Sequence, residues 1–336
     1  MTDQFRDNNR RVDMSVWQGR VDEDDGTAGL RFHQTVKPAN AANEPGIMLL
    51  GFACDEGVAR NKGRTGAYQA PTIIRQALAN MAWHHLLPIY DSGDIACDDH
   101  NLAEAQNRLS ADVTEALRQQ HFPVVIGGGH EVAWGSFQGI ARYLSQRAGN
   151  RPPRIGIINF DAHFDLRPLS GDSKMGSSGT PFTQAANLCA QNQWPFHYAC
   201  VGISRTSNTQ ALFNTADKLG VTVIEDWEIT QETSGGIIKQ LEQFAWLCDF
   251  LYITVDLDVL PASVAPGVSA PAVHGVSYSI LESLYRHLVS LRNEDGSRKV
   301  ILADFAEYNP RFDSDNQTAR IAARLIWQVC RDISTE

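Results

Sequence analysis

Short apolar runs alternate along the chain with longer stretches in which apolar residues recur at helical spacing. Eight of the apolar runs are predicted to be strands: residues 46–53, 87–90, 123–127, 154–160, 197–203, 221–225, 250–255 and 299–305. Within most runs, apolar residues follow one another almost without interruption instead of alternating with polar ones. Such runs are typical of strands that are covered on both faces of a parallel sheet.

Helical patterns fill several of the segments between these predicted strands. The clearest are residues 70–82, 101–120 and 277–293, and in the last of them Ser279 and Glu282 have the spacing of a capping box. Because predicted strands and helices alternate along the chain, we predict an α/β fold in which helices cover both faces of a parallel sheet.

The beginning of the chain differs from the remainder, because it is polar and lacks a clear period. We predict that residues 1–45 form an N-terminal extension that packs on the domain, with Trp17 as an anchor. No Pro- or Ser-rich linker interrupts the remainder of the chain. This continuity predicts that residues 46–336 form a single domain.

The composition is that of a folded protein with a sizeable core, since 43% of the 336 residues are apolar and 20% are charged. A formal net charge of −10 argues against non-specific binding to nucleic acid or to anionic membranes. The six cysteines form no C-x-x-C pair, and the N-terminus is too polar for a signal peptide. No apolar run approaches the roughly 18 residues of a membrane span. We therefore expect a cytoplasmic protein with reduced cysteines.

Three predicted strands end in side chains that can bind a metal ion. These are His130 after the third strand, Asp161, His163 and Asp165 after the fourth, and Asp256 and Asp258 after the seventh. Residues two apart lie on the same face of a strand, so each group directs its side chains toward one place. Ligands of open parallel sheets bind at the carboxyl ends of the strands. We therefore expect the six side chains in one crevice.

Four carboxylates in one crevice would repel each other unless cations neutralised them. Six ligands, some of which can bridge, suit two divalent ions about 3.5–4 Å apart. An oxygen-rich set with two imidazoles and no thiolate favours Mn²⁺ over Zn²⁺ or Fe²⁺. The sequence therefore predicts a metal site with two ions.

Other interpretations of these motifs fit less of the sequence. The stretch ITVDLDV matches the nucleophile pattern of haloacid-dehalogenase-type phosphatases, but that assignment leaves His130 and residues 161–165 without a role. The pair DAH and GGGHE also resembles binuclear phosphoesterases, except that the order is reversed and Gly129 replaces a required Asn. A dinucleotide-binding loop is disfavoured because Val132 occupies the place of its last glycine.

Four segments resemble, in order and spacing, the signatures of the ureohydrolase family of arginases, agmatinases and formimidoylglutamases. They are GGGHE, NFDAHFD, VDLDVLPASVAPGVSAPAVHGVSY and ADFAEYNP, and DEGVARNKGRTGAYQAPTIIR resembles the family's opening turn and helix. Together these segments cover most of residues 46–330. The resemblance implies a three-layer α/β/α fold with a central eight-stranded, mostly parallel sheet, and a single catalytic domain at residues 46–336.

The same resemblance implies the chemistry. The six candidate ligands match the positions that hold two Mn²⁺ ions per subunit in that family. Such a pair of ions provides a hydroxide that attacks a planar, cationic C=N carbon. Two residues are implied to be catalytic: Asp165 would carry a proton to the leaving amine, and Glu307 would hold the cationic nitrogens of the substrate. The role of His274, near the last metal motif, stays open.

Departures from the arginase pattern narrow the substrate. Phe182 stands where arginases and agmatinases carry a loop histidine, and Arg167 suits a substrate with an anionic tail. The stretches RNKGRTGA, SSGTPFTQ and GISRTSNT resemble formimidoylglutamases, which implies hydrolysis of N-formimidoyl-L-glutamate to L-glutamate and formamide in histidine degradation. The candidates for binding the carboxylates of the substrate are Arg167 first, then Arg64, Asn61 and Arg205.

Two alternatives stay open. The chain could be another amidine or guanidine hydrolase, of the guanidinobutyrase, agmatinase or arginase type, or a metal-binding relative without catalysis. By analogy with the family we expect the chain to form a homo-oligomer. We expect it to bind a small amidine substrate with carboxylates, and to bind neither nucleic acid nor a membrane.

Overall fold

The computed structural model describes residues 12–84, 87–147, 151–169, 171 and 175–334. Its strands are β1 (Lys37–Pro38), β2 (Ile47–Ala53), β3 (Ile89–Ala96), β4 (Phe122–Ile126), β5 (Ile155–Phe160), β6 (His197–Ile203), β7 (Thr222–Glu225), β8 (Phe250–Asp256) and β9 (Val300–Ala306). Its α-helices are α1 (Phe32–Thr35), α2 (Glu56–Arg60), α3 (Ala70–Ala79), α4 (Leu102–Arg118), α5 (Val132–Ser145), α6 (Pro181–Gln191), α7 (Gln210–Lys218), α8 (Ser234–Trp246), α9 (Tyr278–Val289) and α10 (Gln317–Ser334). Residues 1–11 of the predicted extension and residues 335 and 336 lie outside the described residues.

The strands form one sheet in the order β1-β3-β2-β4-β9-β8-β5-β6-β7, and every pair is parallel. The predicted α/β fold is therefore confirmed, and the eight predicted strands correspond to β2–β9. The predicted count of eight was wrong by one, because β1 pairs with β3 at the edge of the sheet. This strand has only two residues, one of them a proline, so it leaves no apolar run in the sequence.

Helices cover both faces of the sheet, which gives three layers. The apolar sides of α3, α8, α9 and α10 pack on one face, and those of α4, α5, α6 and α7 pack on the other. Within β2, Ile47 and Leu49 face the first group of helices, whereas Met48 and Leu50 face the second. Successive side chains of a strand point to opposite faces, so a strand covered on both sides is apolar at every position.

Strand β3 extends six residues beyond the predicted strand, which ends at residue 90. The pattern of apolar residues misses this part because it contains polar side chains. Asp91 lies inside β3 and is buried. The guanidinium of Arg75 pairs with Asp91 at 2.8 Å and with Asp94 at 2.5 Å. The indole N–H of Trp17 donates to Asp91 at 2.8 Å. These contacts join the beginning of the described chain to the sheet.

The predicted capping box at the start of α9 was wrong. The N-cap of this helix is Ser277, and Ser279 lies inside the first turn. The carboxylate of Glu282 accepts a hydrogen bond from Arg324 at 3.1 Å. Because the helix begins earlier than the motif requires, the hydroxyl of Ser279 cannot reach the backbone N–H that a capping box satisfies.

All six cysteines are buried and free. In the part of the chain that the structure describes, no helix combines the length and the apolar character needed to cross a lipid bilayer.

Candidate metal centre and substrate cavity

The six predicted ligands meet at the carboxyl edge of the sheet, beside the adjacent strands β4, β9, β8 and β5. The first follows β4, three follow β5 directly, and the last two lie at the end of β8 and in the short turn after it. Gly128 lets the chain approach closely before His130, because a Cβ atom there would lie 1.8 Å from the carbonyl oxygen of Cys54. The glycine run is therefore needed to bring His130 to the edge of the sheet.

One cluster surrounds the ring of His130. Its Nδ1 atom lies 3.0 Å from Asp161, 2.9 Å from Asp165 and 3.2 Å from Asp256. This nitrogen is buried and makes no hydrogen bond of good geometry with the described residues. A nitrogen lone pair and three carboxylate oxygens that converge on one point are a suitable ligand set for a divalent cation.

A second cluster adjoins the first and shares Asp161 with it. The Nδ1 atom of His163 lies 3.5 Å from Asp161 and 3.1 Å from Asp258. In each of the two clusters, the possible ligand atoms lie within 4.8 Å of one another. Two adjacent sites that share a carboxylate have the form of a two-ion centre.

Hydrogen bonds from neighbouring groups orient the carboxylates. Asp161 accepts one from the side-chain amide of Asn159 at 2.9 Å and another from the backbone N–H of His163 at 2.6 Å. Asp256 accepts one from the backbone N–H of Asp258 at 2.8 Å. The Nε2 atom of His130 lies 3.0 Å from the hydroxyl of Thr254. Such contacts hold metal ligands in place before an ion binds.

Burial and crowding shift the pKa values of these groups when no cation is present. Burial, followed by the charge of Asp161, raises the pKa of Asp165 to about 6. Burial, followed by the charge of Glu131, raises the pKa of Glu307 to about 8. Burial alone would lower the pKa of His130, but the surrounding carboxylates more than offset it and hold that pKa well above its usual value. The site therefore retains protons that a cation must displace.

Two acidic residues of the site have a backbone conformation that L-residues rarely adopt. Asp165 has φ = 47° and Glu307 has φ = 65°. The Glu307 carboxylate accepts the backbone N–H of His130 at 2.8 Å, and the Glu307 N–H donates to Gly128 at 2.8 Å. Non-glycine residues in this region cost about 1–3 kcal/mol and persist where surrounding contacts enforce them, often at functional sites.

A cavity of about 320 Å³ lies above the two clusters. His163, Asp165, Asp256, Asp258 and Glu307 contribute to its lining. Three cations and an amide also line it: Lys62, Arg64, Arg167 and Asn61. The cavity therefore combines a carboxylate-rich group of candidate metal ligands with nearby positive side chains.

The comparison with known proteins decides the family. A model of the arginase family matches residues 45–331. The chain belongs to the arginase family. Two of its most similar relatives are the formimidoylglutamases of Photobacterium profundum and Aliivibrio fischeri. The first is 56% identical, covering 96% of each chain, and the second is 54% identical, covering 98% of each.

Solved structures agree with this family assignment. The Mn²⁺-containing formiminoglutamase of Trypanosoma cruzi has a TM-score of 0.75 and 25% identity, covering 88% of this chain and 97% of that one. The formimidoylglutamase of Bacillus subtilis also has a TM-score of 0.75, with 24% identity over 89% of this chain and 90% of that one. The predicted arginase-like fold and the predicted membership of the ureohydrolase group are confirmed.

Two arginines that are predicted to bind substrate, Arg64 and Arg167, line this cavity but differ in their hydrogen bonds. The guanidinium of Arg64 donates to the backbone carbonyls of Ser269 at 2.8 Å and Val268 at 2.6 Å, so it pins a loop. The guanidinium of Arg167 makes neither a hydrogen bond nor an ion pair with the residues that the structure describes. Arg167 is therefore the better placed of the two arginines to bind a substrate.

The structure does not place Arg205 in the lining of the cavity. Its guanidinium forms an ion pair with Glu225 and lies over the ring of Phe213, 4.4 Å from the centroid. The expectation that Arg205 contacts substrate is not supported, because these two partners already hold its charge. Its position two residues after the end of β6 gives no sign of the pairing with an acid 20 residues later.

Several lining residues had no assigned role in the sequence interpretation: Lys62, Ser178, Ser207, Asn208, Leu212, Ser269 and Ala270. The sequence does carry a signal for Lys62, because this residue directly follows Asn61 in RNKGRTGA. Asn208 holds the ligand loop, because its side chain donates to Ala162 at 2.8 Å and accepts from Phe164 at 3.1 Å.

Phe182 and His274 are absent from the cavity lining. The ring of Phe182 is buried and packs edge-on against His130, with 5.4 Å between the ring centroids. It stacks on Tyr198 at 4.5 Å. Phe182 therefore packs against the ring of His130, a candidate ligand, and its side chain has no group that could transfer a proton.

Proposed function

We propose that this protein is a formimidoylglutamase that hydrolyses N-formimidoyl-L-glutamate to L-glutamate and formamide, with two Mn²⁺ ions per subunit. The observation that carries the proposal is the division of charge in the cavity. Candidate metal ligands and Glu307 line it together with the cations Lys62 and Arg167. The substrate has a matching division, with an amidinium at one end and two carboxylates at the other.

The candidate ligands divide into two sets that fit two ions. His130, Asp161, Asp165 and Asp256 would hold one, and Asp161, His163 and Asp258 would hold the other. When bound, two Mn²⁺ ions would supply a water of lowered pKa and so a hydroxide nucleophile at neutral pH. The oxygen-rich donor set, with two imidazoles and no thiolate, suits Mn²⁺.

Glu307 is positioned to hold the amidinium of the substrate. Its carboxylate is buried, and Oε2 has no hydrogen-bond partner among the described residues. The bond that Oε1 accepts from His130 keeps the side chain at the edge of the ligand cluster. A buried carboxylate with a free oxygen favours a cationic N–H donor, because an N⁺–H···O⁻ bond is about twice as strong as a neutral one.

Asp165 is positioned to move a proton. It lines the cavity and lies beside His130, so its carboxylate borders both the candidate ions and the substrate. Water adds to the formimidoyl carbon, and the bond from that carbon to the glutamate nitrogen breaks. That nitrogen must gain a proton, and we assign its delivery to the Asp165 carboxylate.

Arg167 is our candidate for binding a carboxylate of the substrate, with Asn61 and Arg64 beside it in the cavity lining. Its side chain is exposed, and its guanidinium, which has no hydrogen bond or ion pair with the described residues, can form a bidentate pair with a carboxylate. We also propose that residues 46–336 are one catalytic domain with residues 1–45 as an extension packed on it, that the enzyme is a cytoplasmic homo-oligomer, and that it acts in histidine degradation.

A substrate comparison tests this function. Purified protein with added Mn²⁺ is assayed with formimidoylglutamate, arginine, agmatine and guanidinobutyrate at equal concentrations. We expect kcat/KM to be highest for formimidoylglutamate, with formamide as a product and no urea from the guanidines. Faster turnover of arginine, agmatine or guanidinobutyrate would replace the proposed activity with another one of the same family.

A further inference from the structure

A buried polar group lies behind His130, on the side away from the candidate ions. The Nδ1 atom of His130 faces three carboxylates, whereas its Nε2 atom lies 3.0 Å from the hydroxyl of Thr254. Thr254 lies in the middle of β8 and is fully buried. With Nδ1 bound to a metal, Nε2 carries the ring proton, so the Thr254 oxygen is its acceptor.

Asp304 lies next to Thr254. The two residues are direct partners in the pairing of β8 with β9, so their side chains stand side by side on one face of the sheet. The Thr254 hydroxyl, once it accepts from His130, still has its own proton to donate. The Asp304 carboxylate, which stands beside Thr254 in the strand pairing, is our candidate for the acceptor of that proton.

The environment of Asp304 is unusual for an acid. Its side chain is fully buried, and one carboxylate oxygen accepts from the phenol of Tyr252 at 2.5 Å. The other oxygen, Oδ1, has no hydrogen bond of good geometry among the described residues. No Lys or Arg of the described chain lies within ion-pair distance of it. Asp304 is therefore not half of a structural ion pair. Burying a carboxylate without such a partner is costly, so its presence here needs another reason.

We propose that Asp304 is a positioning residue for the metal centre and acts through Thr254 on His130. The carboxylate fixes the direction of the Thr254 hydroxyl, whose oxygen then accepts the Nε2 proton. The proton is thereby kept on Nε2, and the lone pair of Nδ1 is left free for the cation that the first cluster would bind. This inference rests on the proposed metal centre and not on the identity of the substrate.

If Asp304 acts through Thr254 on His130, losing either side chain should lower the Mn²⁺ affinity of one site only. Thr254 contacts His130, which belongs to the first cluster, whereas the second cluster is built on His163. Loss of a group that orients a metal-binding histidine lowers metal affinity about 10- to 100-fold. We therefore expect Thr254→Val and Asp304→Asn each to lower the Mn²⁺ affinity of one site by that factor. The Mn²⁺ affinity of the other site should change by less than about threefold.

The experiment is a titration of the purified, metal-free full chain with Mn²⁺, in which free Mn²⁺ is measured by its paramagnetic resonance signal. Thr254→Ser keeps the hydroxyl and should restore both affinities. Thr114→Val is the matched control, since that buried hydroxyl donates to Ser110 and Gly139 outside the candidate site. Its two Mn²⁺ affinities should equal those of the unmodified chain.

Two results would overturn the inference: folded Thr254→Val with both affinities unchanged, or Thr254→Ser with the same loss as Thr254→Val. If Thr254→Val does not fold, the isosteric Asp304→Asn decides, and unchanged affinities there would be equally negative. The assay needs no substrate, so it is independent of the proposed reaction. An unmodified chain that binds no Mn²⁺ would instead overturn the metal centre itself.

Discussion

Asp161 is shared by the two ligand clusters: its carboxylate lies 3.0 Å from Nδ1 of His130 and 3.5 Å from Nδ1 of His163. Asp258, by contrast, belongs to the second cluster alone. A shared carboxylate affects both ions of a two-ion centre, whereas a ligand of one cluster affects mainly the ion bound there.

We therefore predict that Asp161→Asn and Asp258→Asn differ in metal content. Asp161→Asn should reduce bound Mn²⁺ from two ions to fewer than about one and abolish turnover, because the amide cannot bridge as a carboxylate does. Asp258→Asn should retain about one ion. Metal analysis after gel filtration measures both, and two retained ions in Asp161→Asn would show that the carboxylate is not shared.

Arg167 and Arg205 provide a matched pair of substitutions, since only the first lines the cavity. Removing a charged partner of a carboxylate costs about 1.5–3 kcal/mol, so Arg167→Ala should raise KM for formimidoylglutamate about 10- to 100-fold. Mn²⁺ content should not change. Arg205→Ala should leave KM within about twofold, because its guanidinium is paired with Glu225. Equal effects of the two substitutions, or a loss of Mn²⁺ in Arg167→Ala, would mean that Arg167 is structural.

Glu307→Gln should lower kcat/KM for formimidoylglutamate while leaving the Mn²⁺ content at two ions. The amide keeps the shape of the side chain but loses the charge that favours an amidinium, which predicts a fall of roughly 10- to 100-fold. Steady-state kinetics and metal analysis on the same preparation check both parts. An unchanged kcat/KM would show that Glu307 does not hold the cationic end of the substrate.

Much of the metal site was predictable because it depends on local geometry. Asp161, His163 and Asp165 directly follow the apolar run that forms β5, so the sequence places all three at the carboxyl edge of the sheet. The alternation of side chains along a strand does not explain how they meet, because β5 ends at Phe160 and Asp165 has φ = 47°. The order of the central strands then adds His130 and the β8 ligands.

The parts that could not be predicted depend on contacts between distant segments. Arg205 pairs with Glu225 on a neighbouring strand end, and Arg64 is held by carbonyls more than 200 positions away. The left-handed backbone of Glu307 likewise results from its contacts with Gly128 and His130. Sequence spacing carries no information on such pairings, so it could not decide which arginine stays free for a substrate.

The pKa values of the site predict how the metal-free protein responds to pH. Asp165, with a pKa of about 6, and Glu307, with a pKa of about 8, are raised above ordinary carboxyl values, and the pKa of His130 is raised as well. A group whose pKa is higher in the folded state than in the unfolded state stabilises the fold fully at pH values below its unfolded-state pKa. This stabilisation is lost as pH rises through its folded-state pKa. Asp161 has a lowered pKa, but its contribution changes only in acid.

The melting temperature of the metal-free chain should therefore fall as pH rises from about 6 to about 8, the range set by the pKa values of Asp165 and Glu307. Mn²⁺ binds the deprotonated ligands, so the increase in melting temperature on adding Mn²⁺ should grow over the same range. Thermal melts at matched ionic strength, with and without Mn²⁺, measure both trends. An Mn²⁺-induced increase that shrinks with pH would contradict the assigned ligand set.

A crystal structure of the protein grown with Mn²⁺, with the ions located by their anomalous scattering, tests the two-ion centre most directly. We predict two Mn²⁺ peaks about 3.5–4 Å apart. One should lie among His130, Asp161, Asp165 and Asp256, and the other should lie against His163 and Asp258, with Asp161 contacting both. A single peak, or two peaks away from these side chains, would contradict the proposed two-ion hydrolase.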